Sequence, residues 1–589
     1  MRAFGAACIV AAAVVGGASC DGSSRTRGLS ARDRILVLAP VNRTEDPVFD
    51  DTIGDALGLL VRQSPVLSLV ADQQVQATLH LTRREPAAIV TAAIGREICA
   101  RVGATVLLGT EVTSTGSGYG VLLTAHRCLT GEILTTQQAE AWSRDTVFDA
   151  LGIAVSALRA GVGESADSIR RNGATIEESA TASLDAFKAY SQGNAARRRT
   201  GDFDAVPFFT RAIEIDSGFA LAYARLGSVY GTLNRVDEER QMATRAYEVR
   251  QRASEAERLF IEARYFTTVR GGPGEALDRY QRVLSTYPDD YLAIVSAAQL
   301  LRQFGRHDEA VHLLAVLTRV ASNSAFAWTS LGAALTETGR YDEAKRALQA
   351  ALSIQDTAQA RTGLFAIGVF TSDRALADAQ VEAMRGRRDD VEFLRVRIDA
   401  ATYQGRFQEA SALAGEWEQR MEQSSHRARI AEGVLALAFS EALAGKTDEA
   451  SDRVVDAAAD DLLPSATLPE QQRVSVLSAD ARTSRELAIP AFEAAHTDEV
   501  AVWAAVQMRI ERWADAERAL VWLLGADSRK GFNSVPAFAM ASLARAQAAT
   551  GRTAEARQTY QRFFEFWKDA DADVPLLVQA KREFEGLGE

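Results

Sequence analysis

Positive charge, histidine, cysteine and proline are all in short supply in this chain. Lys and Arg total 66 against 78 Asp and Glu, a formal net charge of −12. An acidic surface repels phosphate backbones, so nucleic acid is a poor candidate partner. The six histidines are His80, His126, His307, His312, His426 and His496. Even the closest two, His307 and His312, do not share a helix face, so no metal set is expected. Proline occurs 12 times and aromatics make up 7%. With abundant alanine, that mixture favours helix over sheet. The 589 residues are too many for one compact core.

Catalytic signatures are missing too. Gly116-Ser117-Gly118-Tyr119-Gly120 looks like a glycine-rich phosphate loop. It lacks the Val-Ala-x-Lys strand, the His-Arg-Asp loop and the Asp-Phe-Gly of a kinase, and a hairpin turn explains it better. No glycine-spaced loop precedes a Gly-Lys-Ser/Thr, and neither a Gly-x-Ser-x-Gly elbow nor a His-Glu-x-x-His helix occurs. Acidic pairs such as Asp289-Asp290 suit turns and helix starts. The expectation is no enzyme, no cofactor and no metal.

Four cysteines are present, two of them near the N-terminus. Met1-Arg2 opens a basic region, Ala6 to Gly17 is apolar or small, and Ala18-Ser19-Cys20 offers a small-residue cleavage site. The apolar run is too short to span a bilayer as a helix. A lipoprotein-type signal over 1–19 is therefore expected, with lipidation at Cys20 and a polar tether over 20–32. Gly17 stands where the usual lipoprotein box carries Leu, and plain secretion is the alternative. The expected location is the cell envelope, facing the periplasm, or else soluble in the periplasm or outside the cell. Cys99 and Cys128 could pair in an oxidising compartment; two separate buried thiols is the other reading.

What the chain has in quantity is a repeated phrase. GRHDEA at Gly305–Ala310 and GRYDEA at Gly339–Ala344 lie 34 residues apart. Looser copies are GRFQEA at Gly405–Ala410, GKTDEA at Gly445–Ala450 and GRTAEA at Gly551–Ala556. A period of 34 with a turn glycine marks the helix–turn–helix units of tetratricopeptide repeats, which build extended binding surfaces. In the cleanest unit Trp328, Leu331, Gly332 and Leu335 lie on one helix, and Tyr341, Ala344, Leu348 and Ala351 on the next. The fold class expected is α+β: a small mixed-sheet α/β domain over 33–163, then an all-helical solenoid. Regular repeats run over 180–356, divergent helical repeats over 357–500, and further repeats with a cap over 501–589. Asp460 to Gln472 carries Pro464 and Pro469, which suggests an interrupted repeat.

The phrases VNRTEDPVFDDTIGDALGLLVRQSPVLSLV (Val41–Val70), GREICARVGATVLLGTEV (Gly95–Val112) and HRCLTGEIL (His126–Leu134) carry a family likeness. SLDAFKAYSQG (Ser183–Gly193) and FWKDADADVPLL (Phe566–Leu577) extend it. They resemble the region that follows the kinase domain in bacterial eukaryotic-like serine/threonine protein kinases. There a domain similar to the TolB amino-terminal domain precedes tetratricopeptide repeats. The kinase half has no counterpart, and the signal stands in its place. The resemblance implies a signalling or assembly accessory.

The function expected is a membrane-tethered, non-catalytic adaptor that binds a protein or peptide in the concave groove. By register, the inner face carries Phe187, Tyr190, Asn194 and Arg197, then Leu221 and Ser228, then Leu292, Val295, Gln299 and Arg302, then Phe326 and Thr329. Its mix of apolar and scattered polar groups suits an amphipathic helix or extended peptide. The alternative is a sensory module of a kinase system, its α/β domain binding a small ligand.

Overall fold

The computed structural model describes residues 29, 33–82, 89–387, 390–422, 427–459, 468–478, 497–525 and 532–588. Its first part is β1 (Arg34–Val37), β2 (Val41–Arg43), α1 (Val48–Arg62), β3 (Ser68–Leu69), α2 (Asp72–Leu81), α3 (Ala92–Val102), β4 (Val106–Thr115), β5 (Gly118–Arg127), β6 (Ile133–Ala141) and α4 (Val147–Gly161). The sheet order is β3-β1-β4-β5-β6, with β2 pairing farther along β4. The β1 pairings are parallel, whereas β4-β5-β6 form an antiparallel meander.

Alternating side chains serve two helical layers, because successive residues on a strand face opposite sides. Ile35, Val106 and Leu108 join α1 and α4 in one core, and Leu36 and Leu107 join α2 and α3 in another. The sequence suggests a strand over Val66–Val70, but only Ser68 and Leu69 pair with β1. A helix over Ala87–Val102 is also expected; α3 starts at Ala92, because the Thr91 hydroxyl accepts a hydrogen bond from the Ile94 N–H and caps it there.

Two short helices, α5 (Ala166–Arg171) and α6 (Ile176–Ser179), lead into paired helices. The first pairs are α7 (Leu184–Arg199) with α8 (Asp202–Ile215), α9 (Ala220–Thr232) with α10 (Val236–Glu248), and α11 (Glu255–Tyr265) with α12 (Pro273–Thr286). Next come α13 (Tyr291–Gln303) with α14 (His307–Val320), α15 (Ala325–Glu337) with α16 (Tyr341–Ile354), and α17 (Ala358–Phe370) with α18 (Arg374–Met384). Then follow α19 (Asp390–Tyr403) with α20 (Phe407–Glu422), α21 (Arg427–Leu443) with α22 (Thr447–Ala459), and α23 (Leu468–Ser478). The last are α24 (Thr497–Arg509) with α25 (Trp513–Gly525), α26 (Val535–Ala549) with α27 (Thr553–Phe566), and α28 (Pro575–Gly586).

Each residue of the repeated phrase does a separate job. Gly305, Gly339, Gly405, Gly445 and Gly551 turn the chain at φ of 73°, 71°, 75°, 84° and 81°, a left-handed region that costs other residues energy. The next residue pairs with a glutamate three positions on: Arg306 with Glu309 at 2.6 Å, and Arg340 with Glu343 at 2.7 Å. The closing alanine, as at Ala310 and Ala344, is wholly buried. Asn234, Ser372 and Glu511 take the glycine's place in three more hairpins, at φ of 57°, 56° and 59°. Within the unit α15–α16, a Cβ on Gly332 would lie 2.6 Å from the Leu348 side chain. Gly332 therefore sets how closely those two helices pack.

The array bends back on itself at its far end. α26 packs against α19 and α21. Backbone bonds lock the join: the Asp571 N–H donates to the Gly405 carbonyl at 3.1 Å, and the Leu576 N–H to the Ala444 carbonyl at 3.0 Å. The Trp567 indole N–H reaches the Tyr403 carbonyl at 2.9 Å. Phe532 stacks on Phe370 with ring centroids 4.7 Å apart. Every residue from Val500 to Met508 on α24, and from Val535 to Ala544 on α26, is buried. A helix buried all round is a central one, so the inner face is closed there.

Candidate functional site

A tetratricopeptide-type groove is lined by the first helix of each pair, here α7, α9, α11, α13, α15 and α17. Its first stretch is filled by the chain's own α/β domain. α1 lies against α7, and the Asn194 amide donates to the Asp55 carboxylate at 2.8 Å. An Arg198 guanidinium nitrogen stands 3.8 Å from the same carboxylate. Burial pushes the Asp55 pKa up, while Arg198 and the Asn194 hydrogen bond pull it down. At the other end of α1, the Arg62 charge acts on Glu257 of α11 and on Asp290, which caps α13. Burial raises both of those carboxyls. The Tyr287 hydroxyl donates to the Gln63 carbonyl at 3.2 Å. The domain thus presents an acid to the basic start of the groove and a base to its acidic continuation.

Apolar packing makes the join continuous. Ile53, Leu57, Phe187, Tyr190 and Phe219 belong to one hydrophobic core shared by the domain and the first repeats. Phe148 of α4 meets Phe187 edge-on at 5.1 Å.

The expected inner-face residues accordingly divide into two groups. Phe187, Tyr190 and Leu221 are buried core and do not line an open surface, because the α/β domain covers their repeats. Asn194 is engaged with Asp55, Arg197 pairs with Asp202 at 2.5 Å, and Ser228 is half-buried. Farther along, Gln299 is exposed, and Arg302 makes a two-pronged pair with Glu337, its Nε at 2.9 Å. Phe326 is 52% exposed and Leu292, one repeat earlier, 44%. Thr329 lies half-buried a turn beyond Phe326, and its hydroxyl has no hydrogen-bond partner. Between the α/β domain at one end and the closed turn at the other, the inner faces of α13 and α15 form an open window.

Cys99 and Cys128 form a disulfide, which ties α3 to the end of β5. Cys20 and the signal region lie outside the described residues. Among the described residues, no group of three or more His, Cys, Asp or Glu is placed to hold a metal ion, and no helix is long and apolar enough to cross a membrane.

The tetratricopeptide repeat family matches residues 327–357, the unit built by α15 and α16. This chain contains a tetratricopeptide repeat. The crystal structure of YrrB, described as a TPR protein with an unusual peptide-binding site, is 24% identical, with a TM-score of 0.24 over 30% of this chain and 90% of that one. MamA is 18% identical, with a TM-score of 0.23 over 28% of this chain and 94% of its own. The LpoB C-terminal domain from Salmonella enterica is 20% identical, with a TM-score of 0.18 over 19% of this chain and 85% of that one. No curated protein matches the chain.

Sequence reasoning missed the internal occupant of the groove. Asp55 and Asn194 are 139 positions apart, and nothing local to either residue marks the pair. The closed turn had a visible signal: the stretches 500–508 and 535–544 are apolar or small nearly all round, as a central helix requires.

Proposed function

We propose that this protein is a non-catalytic adaptor, tethered to the cell envelope through Cys20, that holds a partner protein on the inner face of α13 and α15. One observation carries the reading. Leu292 and Phe326 occupy equivalent places in consecutive repeats and stand exposed on a face whose neighbouring stretches are filled. Exposed apolar anchors at a spacing of one repeat suit a peptide or amphipathic helix. The polar group beside them, the exposed Gln299 amide, supplies hydrogen bonds to the partner. The disulfide supports an oxidising compartment such as the periplasm. A photo-crosslinking residue at Phe326 in the full chain should capture an envelope protein, and Phe326→Asp with Thr329→Asp should abolish its co-purification. A partner held equally well by the charged variant would contradict the proposal.

A second reading makes the protein the sensory module of a serine/threonine kinase system, with a ligand bound by the α/β domain. It is favoured by a groove of about 420 Å³ between α1, α4 and residues 173–175, walled by Leu60, Phe148 and Ile153. Thermal stabilisation of the protein by small amphipathic molecules would support it, provided Gly152→Trp, which fills the groove, removes the effect. Stabilisation that survives Gly152→Trp would speak against it.

A further inference from the structure

We propose that β6 is a strand-addition edge, at which two copies of this chain join their sheets about a two-fold axis. The sheet has two ends. β3 is only two residues long, but β6 presents nine. Long edges offer a row of unpaired backbone groups, and proteins usually blunt them with lysine or proline. β6 reads ILTTQQAEA, with neither residue and with one charge, Glu140; its one bulge, at Leu134, lies near one end and leaves Thr135–Ala141 in regular register. Thr136, Gln138 and Glu140 are exposed on one face. Apolar side chains stand out at both ends of the strand: Ile133 is 60% exposed and Trp142 is 75% exposed.

That distribution is self-complementary in the antiparallel sense, as an isologous contact demands. Centred on Gln137, the pairing sets Thr136 opposite Gln138 and Thr135 opposite Ala139, and the bulge at Leu134 brings Ile133 opposite Glu140. Trp142 of one copy then lies beside Ile133 of the other, covering both. Glu140 therefore faces Ile133, so the strand's single charge never meets itself. A sheet running β4-β5-β6 through the axis would carry two adaptor windows on one particle, which raises avidity for a partner with two binding segments.

Sedimentation equilibrium of the full chain tests the proposal, and the wild-type protein should be a dimer. Thr136→Lys with Gln138→Lys sets four like charges together across the axis and should give a monomer. Thr136→Lys with Gln138→Glu sets opposite charges together and should leave the dimer intact. In Gln137→Cys, mass spectrometry should find the residue-137 peptide disulfide-linked to its own copy. Thr136 and Gln138 are exposed and Gln137 half-buried, and unchanged circular dichroism would report an intact fold. A monomeric wild type overturns the proposal, including one whose β6 pairs only with another protein's strand. So does a dimer indifferent to the double lysine, or loss of the dimer in both charge variants alike.

Discussion

Removing the amide of Asn194 should loosen the α/β domain and the first repeats together. Asn194→Ala leaves the Asp55 carboxylate buried with its 2.8 Å donor gone and Arg198 at 3.8 Å as its compensating charge. A hydrogen bond to a charged group contributes roughly 1.5–3 kcal/mol, so a loss of about 2 kcal/mol is expected. Where exchange follows opening of this shared unit, that loss speeds amide exchange about 30-fold. Hydrogen-exchange mass spectrometry should find the increase in α1, α7 and α9 alike, because their apolar residues share one core. The penalty should shrink in acid. Burial raises the folded-state pKa of Asp55, so the native state takes up the proton first. Stability from this group therefore rises as pH falls through the raised value toward the ordinary carboxylate range. Faster exchange in α1 alone, with α7 and α9 unmoved, would refute the view that the domain is an integral part of the groove.

Three further outcomes follow from local geometry. Glu511→Gly should raise stability by about 0.5–1 kcal/mol in chemical denaturation, because glycine tolerates the φ of 59° that glutamate adopts there. Cys99→Ser should cost about 3–4 kcal/mol under oxidising conditions and little under reducing ones, given the 29-residue loop that the disulfide closes. Burial pushes the Asp399 pKa up to about 6 against the pull of Arg395. Its contribution to stability should therefore rise as pH falls from 7 toward the ordinary 3.8, and denaturation of Asp399→Asn across that range should show a flatter pH profile.

Local chemistry was legible in the sequence wherever one residue type answers one physical demand. The turn glycines and the alanine that closes each phrase located hairpins at Gly305, Gly339, Gly405, Gly445 and Gly551. Hairpins turning at Asn234, Ser372 and Glu511 lacked that mark, because there an ordinary residue takes the left-handed turn. The strands around β4 and β5 were visible from their β-branched, apolar runs. The state of the groove was not legible. Phe187 and Tyr190 sit at inner-face register positions, as expected, and whether that face is open depends on a domain folded from residues more than a hundred positions earlier. The contact of Gly405 with Asp571 is equally remote. A repeat register tells which way a side chain points and is silent about what comes to lie against it.

The central claim is that the groove is filled by the α/β domain at one end, closed at the other, and open over α13 and α15 between them. Hydroxyl-radical footprinting of the isolated protein, read by mass spectrometry, tests it most directly. Phe326 and Leu292 should be oxidised rapidly, while Phe187, Tyr190 and Phe219 at one end and Trp503 at the other stay protected. Rapid labelling of Phe187 and Tyr190 in the folded protein would contradict it.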